Sequence, residues 1–351
     1  MEPVKLGIIG CGVIGTSHAS EASKSPLVDL VAVADLIKER ADGNGEKFGA
    51  STIYYNDTDL INDDRIEAVT LAMPVWDRTP VAFKALEKGK HVIIEKPAAA
   101  NCGDIEKMIN LRGDKVVACC SPRMAFTGHA EAARKCVATG VLGKIRSVRF
   151  RIVLSAAPNP NPNPPPWRQS MKLNGGGILV NWSCYDLNYM MHILDWQLKP
   201  QAVMARWWPV GDKMSKYVIP NSDADSHYTA FITCEDGVVL TMERGEFTSA
   251  TTDQAWEIIG SDATLHLPMK AQKGKPNAVI LDKFIPGEGV VSETIWEEGD
   301  STSDNSVLKN FVYAVREGKK VETSLEQALV MQKITDGIYE SNRIGQSVAI
   351  A

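Results

Sequence analysis

Short, almost uninterrupted apolar runs alternate with helix-period stretches through the first third of the chain. The runs at 4–10, 30–35, 66–73, 91–96 and 115–120 hold few polar positions, the pattern of strands covered on both faces. Between them, 14–25, 37–48, 78–88 and 102–112 place apolar residues at helical spacing. Strand and helix in alternation predict a parallel, doubly wound α/β sheet. After a helix at about 129–138 the pattern changes. The runs at 144–154, 202–208, 226–234, 237–245, 254–261, 278–284 and 290–297 alternate apolar with polar, predicting strands with one open face. Tight turns such as Glu235-Asp236-Gly237 make this second sheet mostly antiparallel. From Asn305 to about Ser341 the helical period returns, and no internal repeat is visible.

One helical segment stands apart. The stretch GGGILVNWSCYDLN, 175–188, runs three glycines into a helix whose apolar residues Ile178, Leu179, Trp182, Leu187, Met190 and Leu194 cover most of its circumference. Asn181, Tyr185, Asn188 and His192 nevertheless recur at spacings of four, three and four. On an α-helix they share a stripe roughly 60° wide. A solvated stripe would carry Lys or Glu, and this one is uncharged. That is the expected face of a pocket for a hydroxyl-bearing ligand. Tyr185 both donates and accepts a proton through oxygen, and Asn181 orients a hydroxyl. His192 reads more simply as a buried structural histidine.

Composition narrows the ligand. A chain of 351 residues with a net charge of −5 and no dense Lys/Arg stretch lacks a nucleic-acid footprint. No run approaches the ~20 apolar residues of a membrane span. The apolar start lacks a cleavage site and is too glycine-dense for a signal peptide. The seven cysteines form no CxxC and no zinc spacing with the six histidines. No metal is expected, and the thiols read as reduced, in the cytoplasm.

The first strand ends in Gly10-Cys11-Gly12-Val13-Ile14-Gly15, which opens the first helix. The first glycine makes the turn, the second admits a pyrophosphate and the third packs helix on strand. Asp35, twenty residues beyond Gly15 and ending a second strand, suits the ribose hydroxyls and repels a 2′-phosphate. NAD is therefore the expected cofactor, with NADP disfavoured although Lys38 and Arg40 lie close. Residues 1–122 read as a dinucleotide-binding Rossmann domain, and 123–351 as an α+β domain for substrate binding and oligomerisation.

Lys96 ends the fourth predicted strand in Glu95-Lys96-Pro97, and ligands of doubly wound sheets bind off such strand ends. With this lysine, the glycine motif, AMP at 72–74, GKHVIIEKP at 89–97, GVLGKIRSVRF at 140–150 and the glycine-led helix, the chain resembles the glucose–fructose oxidoreductase / inositol dehydrogenase / rhizopine-catabolism (Gfo/Idh/MocA) family. The resemblance covers nearly the whole length. It implies dinucleotide contacts from Gly10, Gly12, Val13, Ile14, Gly15, Asp35, Ala72, Pro74, Glu95 and Lys96. It also implies a lysine beside the nicotinamide and the reacting hydroxyl, a proline that is commonly cis, and homodimers or homotetramers.

Against the family helix pattern GGG-x-L-x-D-x-G-x-H, Asn181 stands for the Asp, Ser183 for the Gly and Tyr185 for the His. A tyrosine followed three residues later by asparagine looks like the glucose–fructose oxidoreductase branch, where the tyrosine is the acid/base. Residues 74–80 lack the family's customary asparagine and histidine. Lys96, Tyr185 and Asn181 are thus the candidate catalytic set. Arg123, in the segment after the fifth predicted strand, joins Trp167, Arg168 and Trp76 as candidate substrate contacts. The expected activity is reversible oxidation of a secondary ring hydroxyl of a sugar, sugar derivative or inositol. Two alternatives remain: a glycoside-cleaving enzyme working through transient C3 oxidation, marked by aglycone release without net NADH, and a non-catalytic NAD-sensing regulator.

Overall fold

A computed structural model describes residues 1–350 except 273 and 301. The chain forms two compact units. The first comprises Met1–Ser121 and Asn305–Val330; the second comprises Pro122–Asp304 and the chain from Met331 onward.

The first unit runs β1 (Val4–Ile9), α1 (Val13–Lys24), β2 (Val28–Ala34), α2 (Lys38–Phe48), β3 (Thr52–Tyr54), α3 (Asp57–Ile61), β4 (Ala68–Leu71), α4 (Val75–Glu87), β5 (His91–Ile94), α5 (Cys102–Leu111) and β6 (Val117–Cys119). Its sheet has the order β3-β2-β1-β4-β5-β6 with every neighbouring pair parallel. The β-branched runs are buried on both faces, as helix-covered strands must be. Asn56 and Asn101 cap α3 and α5 by accepting from the amides of Asp59 and Asp104, each three residues on, and left-handed Gly49 ends α2. Strand order reverses between β1 and β4, which puts the switch point beside the glycine turn. The pattern of hydrophobic positions missed β3 and α3, because elements of three and five residues show no period.

The second unit contains α6 (Gly128–Ala138), β7 (Ile145–Ser155), α7 (Met171–Asn174), α8 (Cys184–Ile193), β8 (Pro200–Trp208), β9 (His227–Cys234), β10 (Val239–Thr248), β11 (Asp253–Gly260), β12 (Ala263–Leu267), β13 (Ala278–Ile285) and β14 (Gly289–Glu297). Beyond them come α9 (Val307–Glu317), α10 (Leu325–Ile344) and β15 (Val348–Ala349). Nine strands form one sheet, β14-β13-β12-β11-β7-β10-β9-β8-β15. Burial alternates residue by residue along β9, so one face is packed and the other open. All pairs are antiparallel except β7 with β10. Those two are joined by a long crossover that carries the proline-rich residues 158–166 and α8, the kind of connection a parallel pair requires.

The linear division at 122 needs one correction. α9 lies in the first unit, where it packs on β5 and β6, and the Cys119 amide donates to the Thr323 carbonyl at 3.0 Å. Leu325 and Ala328 complete that unit's core. The face of the sheet over β5 and β6 is thus covered by chain from the far end of the sequence.

Candidate active site

The first unit's site is a backbone turn. Gly10 adopts φ +94°, and a Cβ there would meet the Ala72 carbonyl oxygen at 2.7 Å. A Cβ on Gly15 would meet the Gly10 carbonyl oxygen at 1.7 Å, so only glycine lets α1 sit against β1. Gly12 is different: nothing lies within 4 Å of where its Cβ would be. It is the N-cap of α1, no side chain caps that terminus and no acid occupies the first turn. Open space before a helix N-terminus fits a pyrophosphate.

Asp35 closes the turn. Its Oδ2 accepts from the Cys11 amide at 2.7 Å and its Oδ1 from the Ile37 amide at 2.8 Å. Each oxygen keeps a further lone pair, which suits two ribose hydroxyls. Lys38 lies over the Tyr55 ring at 5.0 Å. Val13 and Leu36, both apolar, are 95 % and 83 % exposed beside this turn, a surface suited to an aromatic base.

Glu95, Lys96 and Pro97 follow β5, and the Lys96–Pro97 peptide is cis. Buried Glu95 accepts from the Lys96 amide at 3.1 Å and pairs with His18 Nε2 at 2.8 Å; Cys120 Sγ lies 4.0 Å from that nitrogen. His18, Glu95 and Cys120 bring their ligand-type atoms within 4.8 Å of one another. Sequence spacing could not show this cluster, because its members come from three separate elements. Arg78, buried in α4, donates to the Met73 carbonyl at 2.6 Å and to the Pro97 carbonyl, tying the loops after β4 and β5 together. Burial pushes this guanidinium down and Glu95 opposes the shift. Ala72 is buried, and Pro74 is the exposed N-cap of α4. Trp76, expected at a strand end, lies instead in the first turn of α4 and is exposed.

In the second unit two of the three glycines, Gly176 and Gly177, answer a packing demand. A Cβ on Gly177 would meet the Asp225 carbonyl oxygen at 1.8 Å, and one on Gly176, at φ +155°, the Tyr339 hydroxyl at 1.9 Å. Buried Asp225 accepts from the amides of Gly177 and Leu179, each at 2.8 Å, and from the Tyr339 hydroxyl at 2.6 Å. The amides that open this helix are therefore already satisfied.

The helix itself departs from the expected regular α-helix. Leu179–Ser183 form one π-helical turn before α8, a wider turn frequent at functional sites. Asn181 and Tyr185 are consequently not one α-turn apart, and the 60° stripe is broken at its first member. All four stripe residues are buried.

Three strands hold the helix from behind. Tyr228 of β9 donates to Ser183 Oγ at 2.6 Å, Trp256 Nε1 of β11 donates to Asp186 at 2.9 Å, and Arg244 of β10 forms a buried ion pair with Asp186. Burial pushes the Asp186 carboxyl up and Arg244 works against it. Arg123, on the 310 turn Ser121–Met124, donates from Nη1 to the Tyr185 oxygen at 3.1 Å. The Trp182 ring meets Tyr185 edge-on at 5.6 Å.

Of the residues expected at the site, the first unit gathers Gly10, Gly12, Gly15, Asp35, Ala72, Glu95 and Lys96 around the carboxyl ends of its central strands. The second brings Arg123 to Tyr185. Arg168 is engaged elsewhere, with Glu246 at 2.5 Å, while its neighbour Trp167 is exposed. Sequence reasoning missed His18, Asp186, Arg244 and Asp225. The only local sign of any of them is His18's position one turn past Gly15.

A switch-point glycine turn, a carboxylate after β2 and an open helix terminus define a dinucleotide-binding protein with a second, sheet-based domain. Residues 4–121 match the model of the Gfo/Idh/MocA oxidoreductase family, NAD-binding Rossmann fold, and residues 130–266 match the model of its C-terminal domain. The chain belongs to this family. Inositol 2-dehydrogenase of Rubrobacter xylanophilus is 34 % identical over 40 % of this chain and 42 % of its own. Levoglucosan dehydrogenase of Pseudarthrobacter phenanthrenivorans is 26 % identical over 60 % of this chain and 56 % of its own. The matched regions thus span about half the length of these curated relatives. An oxidoreductase domain protein from Kribbella flavida superposes with a TM-score of 0.83 over 100 % of both chains at 22 % identity, a likeness of fold. No helix among the described residues is long and apolar enough to cross a membrane.

Proposed function

We propose that this chain is an NAD-dependent oxidoreductase that reversibly oxidises a secondary ring hydroxyl of a sugar, sugar derivative or cyclic polyol. Membership of an NAD-binding oxidoreductase family supports the reaction class, and relatives named for inositol and levoglucosan support the substrate class. The observation that carries the reading is the Arg123–Tyr185 hydrogen bond, on a helix clamped at its start and along its back.

NAD, held by the glycine turn and Asp35, supplies the hydride acceptor. Tyr185 takes the hydroxyl proton at its oxygen during oxidation and returns it during reduction. Arg123 leaves that oxygen its own proton to give and sets a cation beside the charge that develops there. Lys96 is the second group we assign to this proton transfer, and Asn181 orients the substrate. Following NADH absorbance across inositols and sugars tests the reading directly. Tyr185→Phe should lower kcat roughly 10²–10⁴-fold with NAD affinity retained. Full turnover in that variant would remove Tyr185 from the chemistry.

The open face of the second sheet is the proposed contact between copies in a homodimer or homotetramer. Exposed Met204 of β8 pairs in register with exposed Phe231 of β9, giving a paired apolar surface. Phe231→Lys should shift the mass measured by light scattering towards the monomer. None of the seven cysteines is in a disulfide, which supports a reducing, cytoplasmic setting.

A further inference from the structure

The ring of Trp182, which meets Tyr185 edge-on, gathers positive charge. Two cations lie over the Trp182 ring: Arg244 Cζ at 5.0 Å and Lys270 Nζ at 3.8 Å from its centroid. Arg244 is neutralised by Asp186, whose two oxygens are taken by Arg244 and Trp256. Lys270, exposed on the loop after β12, makes no ion pair or hydrogen bond among the described residues. Burial of its ammonium, and then Arg244, push it below its ordinary value, with Asp186 opposing the shift. One indole separates this ammonium from the Tyr185 ring. A cation–π contact at an exposed site is weak, so stacking alone is a poor reason to hold a lysine beside the positive charge of Arg244.

We propose that Lys270 is a specificity residue that receives a carboxylate on the substrate ring, making a sugar acid the preferred substrate. The proposal rests on the oxidoreductase reading above. A carboxylate fits better than a phosphate: a doubly charged phosphate draws on several donors at once, such as helix-terminal amides or an arginine fork beside a lysine. Here the amides of Gly177 and Leu179 are filled by Asp225, and Arg244 by Asp186. Lys270 offers a point charge suited to one anionic group.

The test compares matched substrates with the NAD-loaded protein: galactose with galacturonate, glucose with glucuronate, and glucose 6-phosphate as the phosphate arm. The wild type should favour the acids at least tenfold in kcat/KM. Lys270→Met should collapse that ratio, chiefly through KM, and Lys270→Arg should keep most of it. Calorimetric titration of the NADH-loaded protein with glucuronate gives a readout free of turnover, in which Lys270→Met should weaken binding at least tenfold. Preference for neutral or phosphorylated sugars, or a ratio unmoved by Lys270→Met, overturns the proposal and leaves the oxidoreductase reading standing. Lys270-dependent glucuronate binding without any NAD reduction does the reverse.

Discussion

Gly10, Gly12 and Gly15 shape the first unit's ligand cradle from backbone and empty space, whereas the Tyr185 helix is fixed by side-chain pairs drawn from distant strands. In the cradle the decisive contact is Gly15 against the Gly10 carbonyl, five residues away. Around the helix the partners are 58 residues apart for Asp186–Arg244, 62 for Arg123–Tyr185 and 70 for Asp186–Trp256. A site made of backbone is damaged by adding atoms; one made of paired side chains is damaged by removing them.

The most damaging removal is Arg244→Met. It strands Asp186 without its cation in a place no water reaches, and breaking such a pair costs about 3–5 kcal/mol. Peptide-resolved hydrogen exchange should show β10, β11 and α8 loosened while NAD affinity is retained. Adding Asp186→Leu should recover much of the loss, because a buried charge without a partner is what destabilises the single variant. Normal protection in α8 combined with lost NAD binding would erase the contrast between the two units.

Acid should separate the units next. Burial holds His129, which meets the Tyr189 hydroxyl at 2.9 Å, down to about 4 from an ordinary 6.5. Between those values the unfolded chain binds a proton that the folded chain does not, so stability falls as pH drops from 6.5 to 4 and rises with pH across the same window. The full swing is about 3 kcal/mol at roughly 1.4 kcal/mol per unit. His129→Gln should flatten the pH dependence of melting between those limits; an equal acid loss in that variant would assign it to other groups.

How much of this was legible follows from the same distinction. The parallel sheet, the glycine turn and Asp35 were readable because strand period, turn and carboxylate lie within one short stretch of chain. The EKP strand end and Tyr185 were readable through motif resemblance. Asp186 was passed over although it adjoins Tyr185, since nothing local reveals that Arg244 and Trp256 converge on it. The π-turn at Leu179–Ser183 is equally silent, because its residues read as ordinary α-helix. Gly176 and Gly177 could be seen as a helix start, but the reason for them, the backbone of Asp225 and the hydroxyl of Tyr339, lies far along the chain. The return of 305–330 to the first unit escapes any reading that cuts the chain once.

Adding atoms separates two neighbouring glycines. Gly15→Ala drives a methyl into the Gly10 carbonyl and should destabilise the first unit by about 3 kcal/mol, at the upper end for overpacking. Gly12→Ala meets nothing, and its φ of −72° and ψ of −166° are open to alanine. The melting temperature should therefore stay put while the methyl occupies the space of the phosphates. NAD affinity measured by calorimetry should fall 10- to 100-fold, or about 1.4–2.7 kcal/mol. A destabilised Gly12→Ala with unchanged NAD affinity would mean that the space before α1 is not the phosphate site.

The smallest change sharpens the comparison most. Asp35→Asn keeps the size of the side chain and one oxygen, enough to accept from Cys11 or Ile37, but not from both as the carboxylate does. The turn should persist, since Gly10 still packs on Ala72. NAD should bind about tenfold more weakly, near 1.4 kcal/mol, through the lost charge and acceptor. NADP should lose little or gain, because its 2′-phosphate no longer faces a carboxylate. The ratio of the two dissociation constants decides the matter: if it does not move, Asp35 acts only as the brace between β2 and the glycine turn, and the cofactor preference is set elsewhere.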